Sequence, residues 1–227
     1  MWICFAFFFE KTAEDTSVYF RDKKIWALGK DYRKHQGKYS VIFLTFKDVK
    51  YETWELALDS IDQLMRNEYL RHSEILYGSA MNKYKKQDFE KIVSGSPNEV
   101  DLAFSLSKLS QMLDEHYGVA PIIIVDEYDT PIQNGFMQGY YDRVVSFMRN
   151  LFSGAFKDNR DLSYGFLTGI LRVAKESIFS GLNNLSVNSV LDARYSRYFG
   201  FTRDEVSAML QYYGLEKKLS EVCELYQ

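Results

Sequence analysis

The sequence predicts an α/β fold: a parallel sheet flanked by helices, followed by the start of a small helical domain. Three observations carry the prediction. Residues 41–46 (VIFLTF), 122–125 (IIIV) and 164–168 (YGFLT) are nearly continuous apolar runs, the mark of strands covered on both faces. Stretches with helical periodicity separate them, and that alternation favours a parallel sheet joined by crossovers. Finally, three acids (Asp126, Glu127, Asp129) follow the second run within four positions, at the strand end where open α/β sheets bind ligands.

Taken in order, the chain opens with WICFAFFF. This run is apolar but shorter than the roughly 20 residues of a membrane span, and it lacks the basic region and cleavage site of a signal peptide. It reads as part of something buried, as helix or strand. After the first strand, Trp54, Leu58, Ile61, Leu64 and Met65 share a helical stripe. Residues 66–98 are polar and mixed, an inserted stretch of helix and loop. Leu102, Leu106, Leu109 and Leu113 form a second stripe before the second strand, and Val144, Met148, Leu151 and Phe152 a third after it. Beyond residue 195 the pattern changes. Phe199-Gly200-Phe201 reads as a short strand, and Thr202 with Glu205 matches a capping box. The helix that follows carries Val206, Met209, Leu210 and Tyr213 and ends at Gly214; residues 219–226 begin another. The predicted division is an α/β domain over 1–201 and a helical domain beginning at 202–227.

The bulk numbers suit this organisation. A chain of 227 residues, 46% hydrophobic and 16% aromatic, has ample material for a core. A net charge of −3 supplies no global argument for nucleic-acid binding; the basic clusters at 21–24 and 83–86 are interleaved with acids and read as solvated faces. Cys4 and Cys223 have no metal-ligand spacing and fit a reducing, cytoplasmic setting. His35, His72 and His116 are scattered, with no pattern joining them to a nucleophile.

An apolar strand ending in Asp-Glu is the Walker B pattern of nucleotide hydrolases. The Asp holds the Mg²⁺ that travels with the nucleotide phosphates, and the Glu polarises the attacking water. A cation also explains how two adjacent carboxylates coexist, since without one they repel. The plainer reading, a strand end with solvated acids, stays open on the motif alone. The third strand adds weight: Leu167-Thr168-Gly169-Ile170-Leu171-Arg172 places a hydroxyl at its end and a cation four residues later. Arg172 could sense a γ-phosphate or stabilise transition-state charge, or simply pair with Glu176 a helical turn on. Gly29-Lys30-Asp31 and Gly37-Lys38-Tyr39 lack the upstream glycine and downstream Ser/Thr of a phosphate loop. The polar phrase at 176–184 reads equally as a capped loop or a substrate contact.

Four blocks together, IIIVDEYDTPI, FMRNLFSGAFKDN, GFLTGILRVAKESIFSGLNNL and YFGFTRDEV, resemble the AAA-ATPase-like domains of gut anaerobic bacteria. These are similar to the signal-transduction branch of P-loop ATPases and are often fused to a PD-(D/E)XK nuclease-like domain. The resemblance implies a P-loop-NTPase-like sheet, with ATP and Mg²⁺ as cofactors. It assigns Asp126 to the metal, Asp126 and Thr168 to the nucleotide, and Glu127 and Arg172 to catalysis. It also implies that the first strand, the phosphate loop and most of the first helix are missing from these residues, so ATP binding and turnover are expected to be impaired. Asp129 belongs to the D-E-Y-D-x-P-I signature and is expected to cap the loop that Pro131 stiffens.

Three functions follow as expectations. The first is an ATPase-family domain with nucleotide as partner, any nucleic-acid link running through the nuclease-like domain. The second is a non-catalytic interaction or regulatory module on the same scaffold, including self-association through exposed sheet edges. The third is a metal-dependent phosphoesterase using Asp126, Glu127 and Asp129 directly. No membrane partner is expected.

Overall fold

A computed structural model describes residues 2–95, 97–170, 178–179, 185–189, 192, 194–195 and 200–225. Its packing divides the chain into two units, 1–183 and 184–227.

The first unit is built on a three-stranded parallel sheet in the order β1-β2-β3: Val41–Thr45, Ile122–Asp126 and Tyr164–Leu167. All three predicted strands form. Ile122 to Val125 in the central strand are fully buried, which is why that run carries no polar alternation. In register, Thr45 stands opposite Asp126 and Val125 opposite Leu167, so all three strands end at one sheet edge.

The opening WICFAFFF is a helix, α1 (Trp2–Phe9). A helix apolar on every side must be buried, and α1 lies on one face of the sheet. Ala6 packs with Val41, Ile122 and Ile124, while Phe5, Phe9, Tyr39, Phe43 and Phe166 close the cluster. Its end is tied to the approach of β1: Glu10 bridges Tyr39, whose N–H donates to the Phe9 carbonyl at 3.0 Å. Two four-residue helices follow, α2 (Lys24–Ala27) and α3 (Lys30–Arg33).

The strand residues on the opposite face (Ile42, Leu44, Ile123, Val125) are equally buried. The long helix α4 (Trp54–Arg71) packs on β1, and Trp54, Ile61 and Met65 of the predicted stripe are buried along it. The Leu102–Leu113 stripe is not one helix. It divides at Phe104 into α6 (Glu99–Ala103) and α7 (Ser105–Tyr117), after α5 (Lys83–Val93). All four leucines remain buried across the break. The stretch taken for polar insert also adds to the core, because Tyr69, Phe89 and Ile92 are buried. Past β2, α8 (Thr130–Gln138) and α9 (Tyr141–Phe156) pack together, and α9 also meets α6 and α7. The third predicted stripe, Val144, Met148, Leu151 and Phe152, is the buried face of α9.

α4 does more than cover a face. The Ile122 N–H donates to the Ser40 carbonyl and the Phe46 N–H to the Asp126 carbonyl, so even-numbered residues of β1 face β2. In a parallel ladder the odd-numbered groups then point outward. Side chains of α4 and the residue after it meet them: the Glu68 carboxylate accepts the Phe43 N–H at 2.8 Å, and Arg71 and His72 donate to the Val41 carbonyl. An edge that would recruit another strand is occupied by a charged cluster instead.

In the second unit the capping box forms as predicted, with the Thr202 hydroxyl accepting the Glu205 N–H and the Glu205 carboxylate accepting the Thr202 N–H. It opens α10 (Arg203–Tyr212), and Gly214 takes the left-handed conformation (φ 68°) just beyond that helix. Leu219–Leu225 forms α11. The strand predicted at 199–201 is not seen in its described part, where Gly200 (φ 80°) and the exposed Phe201 have irregular backbone. Phe199 lies outside the described residues.

Candidate functional site

The site is the carboxyl edge of the sheet. Asp126 ends β2, half-buried, with Thr45 opposite it on β1. On the other side the Thr168 hydroxyl, just past β3, donates to Asp126 Oδ1 at 2.5 Å. Residues in register on parallel strands share a face, so Thr45, Asp126 and Thr168 form a row: hydroxyl, carboxylate, hydroxyl. The Thr45 hydroxyl oxygen is buried and has no hydrogen-bond partner among the described residues. A buried orphan hydroxyl costs free energy, and a water or ligand oxygen beside Asp126 would relieve it.

Glu127 is the point at which the chain leaves the strand, and its backbone is left-handed, with φ +54°. For a residue with a Cβ this conformation costs about 1–2 kcal/mol, and such strain clusters at functional sites. The turn is held by the Thr130 N–H donating to the Glu127 carbonyl at 3.1 Å. The Thr130 hydroxyl also reaches the Glu127 carboxylate at 3.3 Å.

The next two residues anchor this turn. The Tyr128 ring packs on Phe152 and Phe179, and its N–H donates to the Thr168 carbonyl at 3.0 Å. Asp129 is 1% exposed. It neither caps the following helix with its side chain nor stiffens a loop with Pro131, which lies in the first turn of α8. Its carboxylate reaches the turn after β3, where Oδ2 accepts the Ile170 N–H at 2.9 Å, and the same oxygen accepts the side-chain amide of Gln133 in α8 at 2.8 Å.

Of the site residues read from the sequence, the structure brings together Asp126 and Thr168 and places Glu127 beside them in the chain. Arg172 and Glu176 lie outside the described residues. So does most of the polar phrase at 176–184; its Ile178 and Phe179 are buried apolar residues. Reading the sequence missed Thr45 and the reach of Asp129. A strand-terminal threonine in VIFLT was the available signal, but only the register shows that it meets Asp126.

The donors at this edge are one strand-end carboxylate and the hydroxyls that flank it. Among the described residues no group of three or more His, Cys, Asp and Glu is placed to hold a metal, and Asp129 is turned away into its own contacts. Mg²⁺ is commonly held by one or two carboxylates, with water and substrate phosphates completing its shell. Asp126 with flanking hydroxyls suits that pattern. A cavity of about 330 Å³ opens at the far end of β1, lined by Glu10, Ser40, Arg71, His72 and Tyr117 among others. It is remote from the acidic edge; within it Arg71 pairs with Glu10, His72 lies near Glu74, the Tyr117 hydroxyl donates to Glu74, and Lys11 sits over the Tyr117 ring at 5.3 Å. No described helix is long and apolar enough to cross a membrane.

A protein of Azotobacter chroococcum mcd 1, described as an uncharacterized protein in the vnfD 5′ region, is 37% identical over 93 residues. That stretch covers 40% of this chain and 18% of that protein. No solved structure matches the chain. The family described as predicted AAA-ATPase matches residues 3–179, well over half of the chain. This chain, with its parallel sheet and acidic strand edge, therefore belongs to the AAA-ATPase-like family.

Proposed function

We propose that residues 1–183 are the Walker B and sensor part of an ATP-hydrolysing domain, on a P-loop-NTPase-like sheet. The observation that carries this is the row at the sheet edge: Asp126 oriented by the Thr168 hydroxyl, with the buried Thr45 hydroxyl, unpartnered among the described residues, on its other side. Asp126 and its two neighbours would hold the water shell of Mg²⁺ in a bound Mg·ATP. The ion would neutralise charge on the phosphates. Glu127, at the strained exit of the strand, would orient the attacking water and accept its proton. Arg172 is assigned the sensor role by the family resemblance.

Residues 1–227 contain no Gly-x₄-Gly-Lys-Ser/Thr segment, the segment whose backbone N–H groups and lysine hold the phosphates in such ATPases. The chain is therefore expected to bind Mg·ATP weakly, at the acidic edge, with no turnover. Calorimetric titration showing micromolar affinity would overturn the expected weakness. Localisation is read by NMR with Mn·ATP at millimolar concentration, where paramagnetic broadening should centre on residues 126–130 and 168–170 and disappear in Asp126→Ala. Broadening elsewhere, or its survival in that variant, refutes the assignment. In a form of the protein that carries a phosphate loop, ATP should be hydrolysed, and Glu127→Gln should abolish turnover while sparing binding.

A further inference from the structure

Asp129 lies three positions beyond Asp126, and one contact of its carboxylate leaves the turn to which it belongs. It is almost completely buried, and its side chain caps no backbone N–H of α8, the helix it precedes. Oδ2 accepts the side-chain amide of Gln133 in α8 at 2.8 Å and, 41 residues away in sequence, the backbone N–H of Ile170 at 2.9 Å. The fit is tight. A Cβ on Gly169 would lie 2.5 Å from Asp129 Oδ1 and 2.8 Å from its Cγ, so only glycine lets the carboxylate settle against this backbone.

Thr168 sits at the centre of the resulting clasp. Its N–H donates to the Val125 carbonyl at 2.9 Å, its carbonyl accepts the Tyr128 N–H, and the Ile170 N–H two residues on is held by Asp129. Its one remaining polar group, the hydroxyl, donates to Asp126. The turn after β3 is thus fastened to the turn after β2, while the Ile170 side chain is 88% exposed and provides no packing of its own. Hydrogen bonds to a charged acceptor are about twice as strong as neutral ones. A carboxylate is therefore a more rigid fastening for this turn than an amide or hydroxyl.

We propose that Asp129 is a positioning residue for the metal site: it fixes the Gly169–Ile170 backbone, and through it the Thr168 hydroxyl that orients the Asp126 carboxylate. The proposal rests on the Mg·ATP reading of Asp126. Displacement of a site group by about 1 Å can cost about a hundredfold in function, which is what makes a fastening one step behind the site consequential.

The test is the Mn·ATP broadening of residues 126–130 and 168–170 in the full 227-residue chain. It compares wild type with Asp129→Ala, Asp129→Asn, Thr168→Val and the Asp129→Ala/Thr168→Val double variant. Asp129→Ala should raise the Mn·ATP needed for half-maximal broadening about tenfold, the equivalent of about 1.4 kcal/mol. Thr168→Val should do the same. If Asp129 acts through Thr168, the double variant loses about tenfold as well, not a hundredfold. Asp129→Asn keeps an acceptor for Ile170 and should recover most of the loss. Hydrogen exchange of the Ile170 amide should quicken in Asp129→Ala and stay unchanged in Asp126→Ala. Wild-type affinity in Asp129→Ala, or losses that multiply in the double variant, overturns the proposal. Should Asp129→Ala fail to fold, Gly169→Ala, which pushes the carboxylate off its seat, must weaken broadening while Asp129→Asn stays close to wild type. If wild type shows no broadening at these residues, or Asp126→Ala keeps it, the metal reading falls and this inference falls with it. Failure at Asp129 alone leaves the metal reading standing.

Discussion

Replacing Glu68 with alanine should destabilise this protein more than the loss of an ordinary glutamate near a helix end would suggest. Glu68 is 6% exposed. Its carboxylate accepts the Phe43 N–H at 2.8 Å and Arg71 at 2.7 and 3.0 Å, and His72 Nε2 lies 3.5 Å away. Truncation leaves the outward N–H of β1 buried without an acceptor, a cost of about 1–3 kcal/mol. It also strips two cations of their shared counter-charge; breaking a fully buried pair costs roughly 3–5 kcal/mol. The second figure must be discounted, because the Arg71 side chain is 37% exposed and keeps Glu10 as a partner. Together these give about 3–4 kcal/mol. For a chain of this size each kcal/mol lowers Tm by roughly 2–4 °C, so a fall of roughly 6–16 °C is expected. Urea unfolding followed by circular dichroism, with scanning calorimetry beside it, measures both quantities. Glu68→Gln retains an acceptor for Phe43 and should lose about half as much. A loss under about 1 kcal/mol in Glu68→Ala would refute the view that this side chain stands in for a neighbouring strand.

The same cluster predicts a pH dependence. Burial opposes the charge on His72, but hydrogen bonds to Glu68 and Glu74 outweigh it and raise its pKa. Its contribution is therefore complete below the ordinary histidine value of 6.5 and is lost as pH rises through the raised value. Glu74 is held down to about 2, first by His72 and also by Tyr117, and Glu68 is lowered by His72 and Arg71 against its burial. Those contributions are present above the ordinary 4.5 and are lost as pH falls. Tm should thus peak between these limits, and His72→Gln should flatten the alkaline decline; an unchanged alkaline limb would count against it. At the candidate site, Glu127→Gly removes left-handed strain of about 1–2 kcal/mol but adds about 0.5–1 kcal/mol of glycine backbone entropy. The variant should gain up to about 1.5 kcal/mol by urea unfolding while losing hydrolysis in the form that carries a phosphate loop. A clear loss of stability would show that Glu127 is not strained.

Much of the fold was legible because its signals are local. Burial on both faces requires an unbroken apolar run, so IIIV at 122–125 reads as a strand covered on both faces without any knowledge of its neighbours. The capping box at Thr202 and Glu205 and the glycine after α10 are set by groups within a few residues of one another. Where the reading slipped, a longer-range influence decided. Leu102 to Leu113 keep one helical period while the backbone breaks at Phe104, because the apolar stripe reports burial and not continuity. WICFAFFF has no periodicity to read, and its helix is defined by the sheet face it covers.

The acids of the site were visible as residue types, and their place at a strand end followed from the pattern. Their partners were not. Thr45 faces Asp126 through the register of β1 on β2, and no single strand encodes register. Asp129 looked like a local cap because Asp before a helix usually is one, whereas its bond runs to a backbone N–H 41 residues away. Glu68, Arg71 and His72 read as an ordinary charged helix end until β1 was placed beside them. The sequence by itself determined which segments are strands and helices and which acids stand at a strand end, since periodicity and capping act over one or two turns. The tertiary structure alone decided which hydroxyl meets which carboxylate and which charges close the edge of the sheet, since those pairings exist only once distant segments pack in register.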